Sequence, residues 1–233
     1  AESMFEIMVE ILHSLTGHRD CVYTVVHSDF PSIFFSGGGD GMIVKWDLSN
    51  PAEGELIARL PNSIYSLCAI PNSNLLIAGH NYEGIHMLDW KEKKEVASLQ
   101  MTKGAIFDIQ CFENDLLIAT GEGGLVIVDL DNRVVKKKFA ISEKSARVLA
   151  VNPLAKEVAI GFSDHAIRVF SLPDYKLKYE FVAHKNSVFT LNYTNDYKFL
   201  ISGSRDARLK AWQVDAAYKQ AGEVAAHLFA INH

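Results

Sequence analysis

The stretch GHRDCVYTVVHSDFPSIFFSGGGDGMIVKWD, residues 17–47, decides the fold. Gly17-His18 is a turn. Cys21–His27 follows as a strand rich in Val, Tyr and Thr, and Asp29 and Pro31 break it. Ser32–Ser36 is a short apolar strand, Gly37–Gly41 a tight turn, and Met42–Trp46 an alternating strand that ends in Trp46-Asp47. Beyond a polar loop holding Pro51 and Gly54, Glu55–Leu60 is a fourth strand. Short strands punctuated by turn signals predict an antiparallel meander. No long window carries the helical period.

The unit recurs. Each copy opens on an apolar pair three residues apart: Val22 and Val25, Ile64 and Leu67, Ile106 and Ile109, Ala146 and Leu149, Val188 and Leu191, with a sixth start at Leu228 and Ile231. The steps between first members are 42, 42, 40, 42 and 40 residues. Four strands at this period are what one blade of a β-propeller requires, each blade burying its core against its neighbours. The expected fold class is therefore all-β, a propeller of four-stranded antiparallel blades. Residues 1–233 are expected to form a single domain, with blades at about 13–60, 61–100, 101–140, 141–182 and 183–226, and with 227–233 opening the next.

The Gly17-His18 start and Trp46-Asp47 finish resemble the WD-repeat family, and the resemblance spans residues 12–214. It is strongest in the first and fifth units. In the fifth, Ala183-His184 stands for Gly-His, Ser202-Gly203-Ser204-Arg205-Asp206 matches the Ser-Gly-Ser-x-Asp turn, Trp212 closes the third strand, and Gln213 replaces the final Asp. The middle units keep the apolar spacing and lose the polar signature. Leu88, Val128 and Phe170 hold their Trp positions, and Tyr82, Glu122 and Asp164 hold their turn-Asp positions. Packing is expected to survive there and the hydrogen-bond network to be lost. Trp90, two residues late, does not fill the Trp position.

His18, Ser36, Asp40 and Trp46 look like a Ser/His/Asp catalytic set with an added indole, and recur as His184, Ser202, Asp206 and Trp212. An enzyme needs one site, so recurrence argues for structure. The resemblance implies a buried network from the Trp N–H through Ser and His to Asp, whose chemistry is satisfaction of buried donors. Gly161-Phe162-Ser163-Asp164-His165 lacks the last glycine of a nucleophile elbow. Gly37–Gly41 lacks the Gly-Lys-Ser/Thr of a phosphate loop. Nine His show no metal-ligand spacing. No catalytic residue, metal or cofactor is expected, and the chain is not read as an enzyme.

By the same resemblance, the residue after the first apolar position of each unit reaches the mouth of the central channel. These are Tyr23, Tyr65, Phe107, Arg147, Phe189 and Phe229. Residues before the turn-Asp position reach the same face: Gly39, Asn81, Gly121, Ser163 and Arg205. Aromatics and Arg suit interaction hot spots, and a ring of aromatics can also hold a partner's cation. The expected function is a non-catalytic scaffold that binds a protein or peptide at the channel mouth. Against it stands a channel merely plugged by aromatics, which are common in strands. Two further alternatives are an open propeller that self-assembles into a homo-oligomer and a propeller hydrolase.

Lys and Arg number 23 against 28 Asp and Glu, a net charge of −5, which gives no reason to seek nucleic acid. No apolar run approaches the length of a membrane span, and no signal peptide is visible; a cytoplasmic location is expected. Cys21, Cys68 and Cys111 lack C-x-x-C spacing and are expected to be reduced and mostly buried. Lys136-Lys137-Lys138 with Arg133, and Lys91, Lys93 and Lys94, fall on or near predicted outer strands, where lysine discourages edge pairing. A patch for an acidic partner or nucleic acid is the lesser reading. Residues 5–12 alternate like a strand that closes a ring from outside, and residues 1–4 read as a foreign remnant ahead of a native start at Met4 or Met8. A seven-bladed ring would need roughly 60 further residues at ~42 per repeat, so truncation of a longer parent, or completion by a second copy, is expected.

Overall fold

The structure is a computed structural model and describes residues 11–82 and 84–225. It holds five four-stranded antiparallel sheets. Blade 1 is β1 (Val22–His27), β2 (Ile33–Gly38), β3 (Met42–Asp47) and β4 (Glu55–Arg59). Blade 2 is β5 (Ile64–Ala69), β6 (Leu75–His80), β7 (Gly84–Asp89) and β8 (Lys94–Gln100). Blade 3 is β9 (Ile106–Phe112), β10 (Asp115–Thr120), β11 (Gly124–Asp129) and β12 (Val134–Ala140). Blade 4 is β13 (Ala146–Asn152), β14 (Glu157–Phe162), β15 (Ala166–Ser171) and β16 (Leu177–Val182). Blade 5 is β17 (Val188–Tyr193), β18 (Phe199–Ser204), β19 (Arg208–Gln213) and β20 (Lys219–Ala225). In each, strands pair in sequence order, and the inner strands β1, β5, β9, β13 and β17 pack in series. This is an all-β propeller array.

Burial follows strand position. The second strands lie between two neighbours and two blade faces, so β10 and β14 are buried at every residue. The outer strands meet water, and β12 and β16 are exposed or half-buried at every residue. Gly37 and Gly38 belong to β2, so the first hairpin turn is shorter than its five-residue glycine run suggested. Gly41 sits at φ +72, where its missing Cβ lets it approach the Leu60 carbonyl.

Blades fit together by matched volumes. A Cβ on Gly37 would lie 2.6 Å from Ile64 Cγ2, one on Gly79 2.4 Å from Ile106 Cγ2, and one on Gly161 2.7 Å from Val188 Cγ1. In each case a glycine on a second strand receives the first branched residue of the next inner strand. Blade 3 carries Ala119 at this position, and the next inner strand opens on Ala146 instead of a branched residue; both are fully buried in one core cluster. Trp90 takes no Trp position of its own blade. It is buried against Phe35 of blade 1, at 5.4 Å between ring centres, and caps that interface with Phe30 at 6.1 Å.

A second inter-blade device went unseen in the sequence. Asp115 opens β10, binds Lys136 of β12 at 2.9 Å and accepts a hydrogen bond from Tyr175 Oη of blade 4. One blade on, Glu157 opens β14, meets Lys178 of β16 at 3.4 Å and faces Tyr218 of blade 5, which bonds Tyr193 at 2.7 Å. Both tyrosines stand in left-handed backbone, at φ 55 and 59.

Blade 1 presents Val22 and Val25 at 50% and 61% exposure, whereas their counterparts Leu67, Ile109, Leu149 and Leu191 are at most 4% exposed. Among the described residues nothing covers that face. Ile11 and Leu12 are exposed and outside any strand. The rest of the expected closing strand, residues 1–4 and the sixth start lie outside the described residues.

Candidate functional site

The two Ser/His/Asp/Trp sets assemble as relays. In blade 1, Trp46 Nε1 donates to Ser36 Oγ at 2.7 Å, Ser36 Oγ meets His18 Nε2 at 2.7 Å, and His18 Nδ1 meets Asp40 at 3.1 Å. In blade 5, Trp212, Ser202, His184 and Asp206 repeat it at 2.9, 2.7 and 3.0 Å. Asp40 also accepts the backbone N–H of Arg19 and Met42, and Asp206 those of Lys185 and Arg208. With Nδ1–H donating to the carboxylate, Nε2 accepts from Ser, and every group in the chain is satisfied. Ser36 and Ser202 are buried and already accept an indole N–H, so neither presents an oxygen to a substrate. Burial holds the His184 imidazole below its usual range, against the pull of Asp206.

The middle blades keep more of this chemistry than their sequence suggested. Glu122 accepts from Thr102 Oγ1 at 2.7 Å and from the Lys103 N–H. Asp164 accepts from Ser142 Oγ at 2.8 Å and pairs with Arg168, whose guanidinium also binds Glu180. The Ser–Trp half of the relay is absent, since Leu88, Val128 and Phe170 stand at the indole position, paired with Leu76, Leu116 and Val158. Thus the expected loss of the network is corrected to a partial loss, because Ser142 is placed where His stands elsewhere.

At the channel mouth, Tyr23, Tyr65, Phe107, Arg147 and Phe189 line one cavity of about 590 Å³. Backbone register explains why. The pairing of each inner strand with its neighbour shifts at one point: between Val22 and Thr24, Ile64 and Ser66, Ala146 and Val148, Val188 and Thr190, and in blade 3 between Ile106 and Asp108. The residue left over at each shift is Tyr23, Tyr65, Arg147, Phe189 and Phe107 respectively. A bulge adds one residue, bends its strand and re-aims that side chain. Asn81 and Arg205 join the lining from the expected positions; Gly39, Gly121 and Ser163 do not. Tyr82 and Ala105 also line it and were not foreseen; Tyr82 enters from the degenerate turn-Asp position. Phe229 lies outside the described residues.

The rings and cations form a continuous row. Tyr23 meets Tyr65 edge-on at 5.3 Å, and Tyr65 stacks on Phe107 at 5.9 Å and 10°. The Arg147 guanidinium lies 3.9 Å from the Phe107 ring centre and 4.9 Å from that of Phe189, and Arg205 lies 5.7 Å from Phe189. Burial, then the charge of Arg205, lowers the Arg147 pKa. Among the described residues the lining includes no Asp, Glu, His, Cys or Ser. Among the described residues no group of His, Cys, Asp and Glu is arranged to hold a metal.

Deeper in the channel, Asp108 accepts the N–H of Leu149 from the next blade at 2.8 Å and that of Ile109 at 2.9 Å. Burial pushes its carboxyl up to about 7, against those two bonds. Cys68 and Cys111 are neighbours on adjacent inner strands; a hydrogen bond from Cys68 holds the Cys111 thiol below its usual range. Cys21 is exposed, contrary to the expectation of mostly buried cysteines, because it precedes the uncovered strand β1. The outer lysines hold acids: Lys136 binds Asp115 and Lys93 binds Glu55.

Five four-stranded blades around a channel define a β-propeller. The WD domain, G-beta repeat family model matches residues 9–47 and 175–213, the two units that carry complete relays. Blades 1 and 5 thus match WD repeats in sequence, and blades 2 to 4 share their four-stranded fold. The chain is 20% identical to a striatin homolog of Dictyostelium discoideum over 89% of its length, and 26% identical to the protein lethal(2)denticleless of Drosophila melanogaster over 93%. It spans 30% and 29% of those two proteins. Over 38% of its length it is 39% identical to the small ribosomal subunit protein RACK1 of Brassica napus. Among the described residues no helix is long and apolar enough to cross a membrane.

Proposed function

We propose that this array is a non-catalytic scaffold that receives a protein or peptide segment at the mouth of its channel, in the cytoplasm. One observation carries the reading: five bulge residues, four aromatic and one Arg, converge on a single cavity. Buried plugs would be packed on all sides, yet Tyr65, Phe107, Arg147 and Phe189 on the covered inner strands are only half-buried. Aromatic rings on rigid strands offer large contact area at low entropic cost. Among the described residues the lining offers no carboxylate, imidazole, thiol or serine, which disfavours the hydrolase reading.

Phage-displayed random peptides selected on the chain test it. Selected peptides should lose roughly ten-fold or more in affinity on Phe107→Ala and Phe189→Ala, with melting temperatures close to that of the parent. Peptides that bind both variants unchanged would place recognition elsewhere. A large loss of stability would mark the two rings as core.

The uncovered face of Val22 and Val25 supports a second reading, self-assembly. A mass by light scattering that rises with concentration would favour it.

A further inference from the structure

We infer that the segment received at the channel mouth is an acidic peptide, with one carboxylate or phosphorylated side chain seated between Arg147 and Arg205. The inference rests on the channel-mouth reading and names the chemistry of its ligand. Arg147 and Arg205 lie 4.9 and 5.7 Å from the Phe189 ring centre, line the same cavity and repel one another across it. The fold shows elsewhere how it satisfies a structural arginine. Arg168 lies 4.6 Å from the Phe162 ring centre, as Arg147 lies over Phe107, but it also binds Asp164 at 2.8 Å and Glu180 at 2.6 Å. Among the described residues no carboxylate pairs with Arg147 or Arg205, and none lines their cavity. Two like charges are thus held together in a partly desolvated site within a chain of net charge −5. An incoming anion offsets both the lost hydration and the repulsion, and a guanidinium fork takes it through two parallel bonds.

A second observation points to a peptide. Among the described residues Asn81 Oδ1, in the same cavity, is buried and has no hydrogen-bond partner. An orphaned acceptor there calls for a donor, and a peptide N–H beside an acidic side chain supplies one. The Tyr23–Tyr65–Phe107 row offers its neighbours an apolar wall. A single cation pair on an acidic protein suits one acidic side chain better than the repeated charges of a nucleic acid.

The probe is a set of fluorescent peptide pools, randomised except for a central Asp, Glu, phosphoserine, Asn, Gln, Ser or Lys. Binding is measured to the chain, to Arg205→Glu, to Phe189→Ala and to Lys138→Glu, an outer-edge control with the same charge change. Asp, Glu or phosphoserine pools should bind roughly ten-fold tighter than their Asn, Gln or Ser counterparts. The preference should vanish or pass to Lys on Arg205→Glu and survive Lys138→Glu. The carboxylate and phosphoserine pools separate the two anion sources. Equal binding of acidic and neutral pools, or a preference that survives Arg205→Glu, overturns the inference. If Phe189→Ala still abolishes that binding, the channel-mouth reading stands without it. Binding indifferent to Phe189→Ala, or no binding by any pool, removes both. An oligothymidine that binds with Arg205 dependence where peptides do not would replace the peptide by nucleic acid. The Asp-against-Asn comparison on the parent chain holds even if a variant fails to fold.

Discussion

Removing a relay residue takes one bond from each of its neighbours. His184→Ala leaves the buried Ser202 hydroxyl without its acceptor and takes one donor from Asp206, and is expected to cost about 1–3 kcal/mol, read by urea melts. The cost should shrink in acid. Burial lowers the His184 pKa in the folded state, so below about pH 6.5 the unfolded chain binds the extra proton and stability falls with pH. The variant lacks that loss. Asp108 has the opposite sign. Its folded value of about 7 lies above the unfolded one, so the folded state holds the extra proton between about pH 4 and 7, and this group's contribution falls as pH rises. Asp108→Asn should therefore flatten that part of the profile; an unchanged slope would mean that Asp108 titrates normally. The residues of the relays were legible in the sequence because they recur in phase. The burial of Asp108 was not, because its partner Leu149 lies a whole blade away.

At the scale of strands, the matched volumes make a sharper prediction. Ala146→Ile should overpack against Ala119, costing about 1–3 kcal/mol. Adding Ala119→Gly should recover most of it, since Gly37–Ile64 and Gly79–Ile106 are that arrangement. Equal costs for the single and double variants would deny the pairing. The strands themselves could be read from turn residues and apolar spacing. The bulges could not, because one extra residue leaves no compositional trace; only the resemblance pointed to Tyr23, Tyr65, Phe107, Arg147 and Phe189. The acid–Lys–Tyr contacts were hidden for another reason. Their tyrosines, Tyr175 and Tyr218, sit in turns whose left-handed backbone hydrophobic patterning does not reveal.

For the whole molecule, the period fixes what each blade is, and the packing of one blade on the next fixes the channel. The first face of the array stays apolar and uncovered among the described residues. Val25→Asp should consequently leave stability nearly unchanged while lowering any concentration-dependent rise in mass; a several-kcal/mol loss would show that the face is packed. The central claim is that binding happens at the bulge residues. It is tested most directly by photo-crosslinking a selected peptide, with p-benzoylphenylalanine in place of Tyr65 in one sample and of Lys138 in another. Crosslinks from position 65 and none from 138 are the expected result. Crosslinks from 138 alone would place recognition on the outer edge and contradict the account.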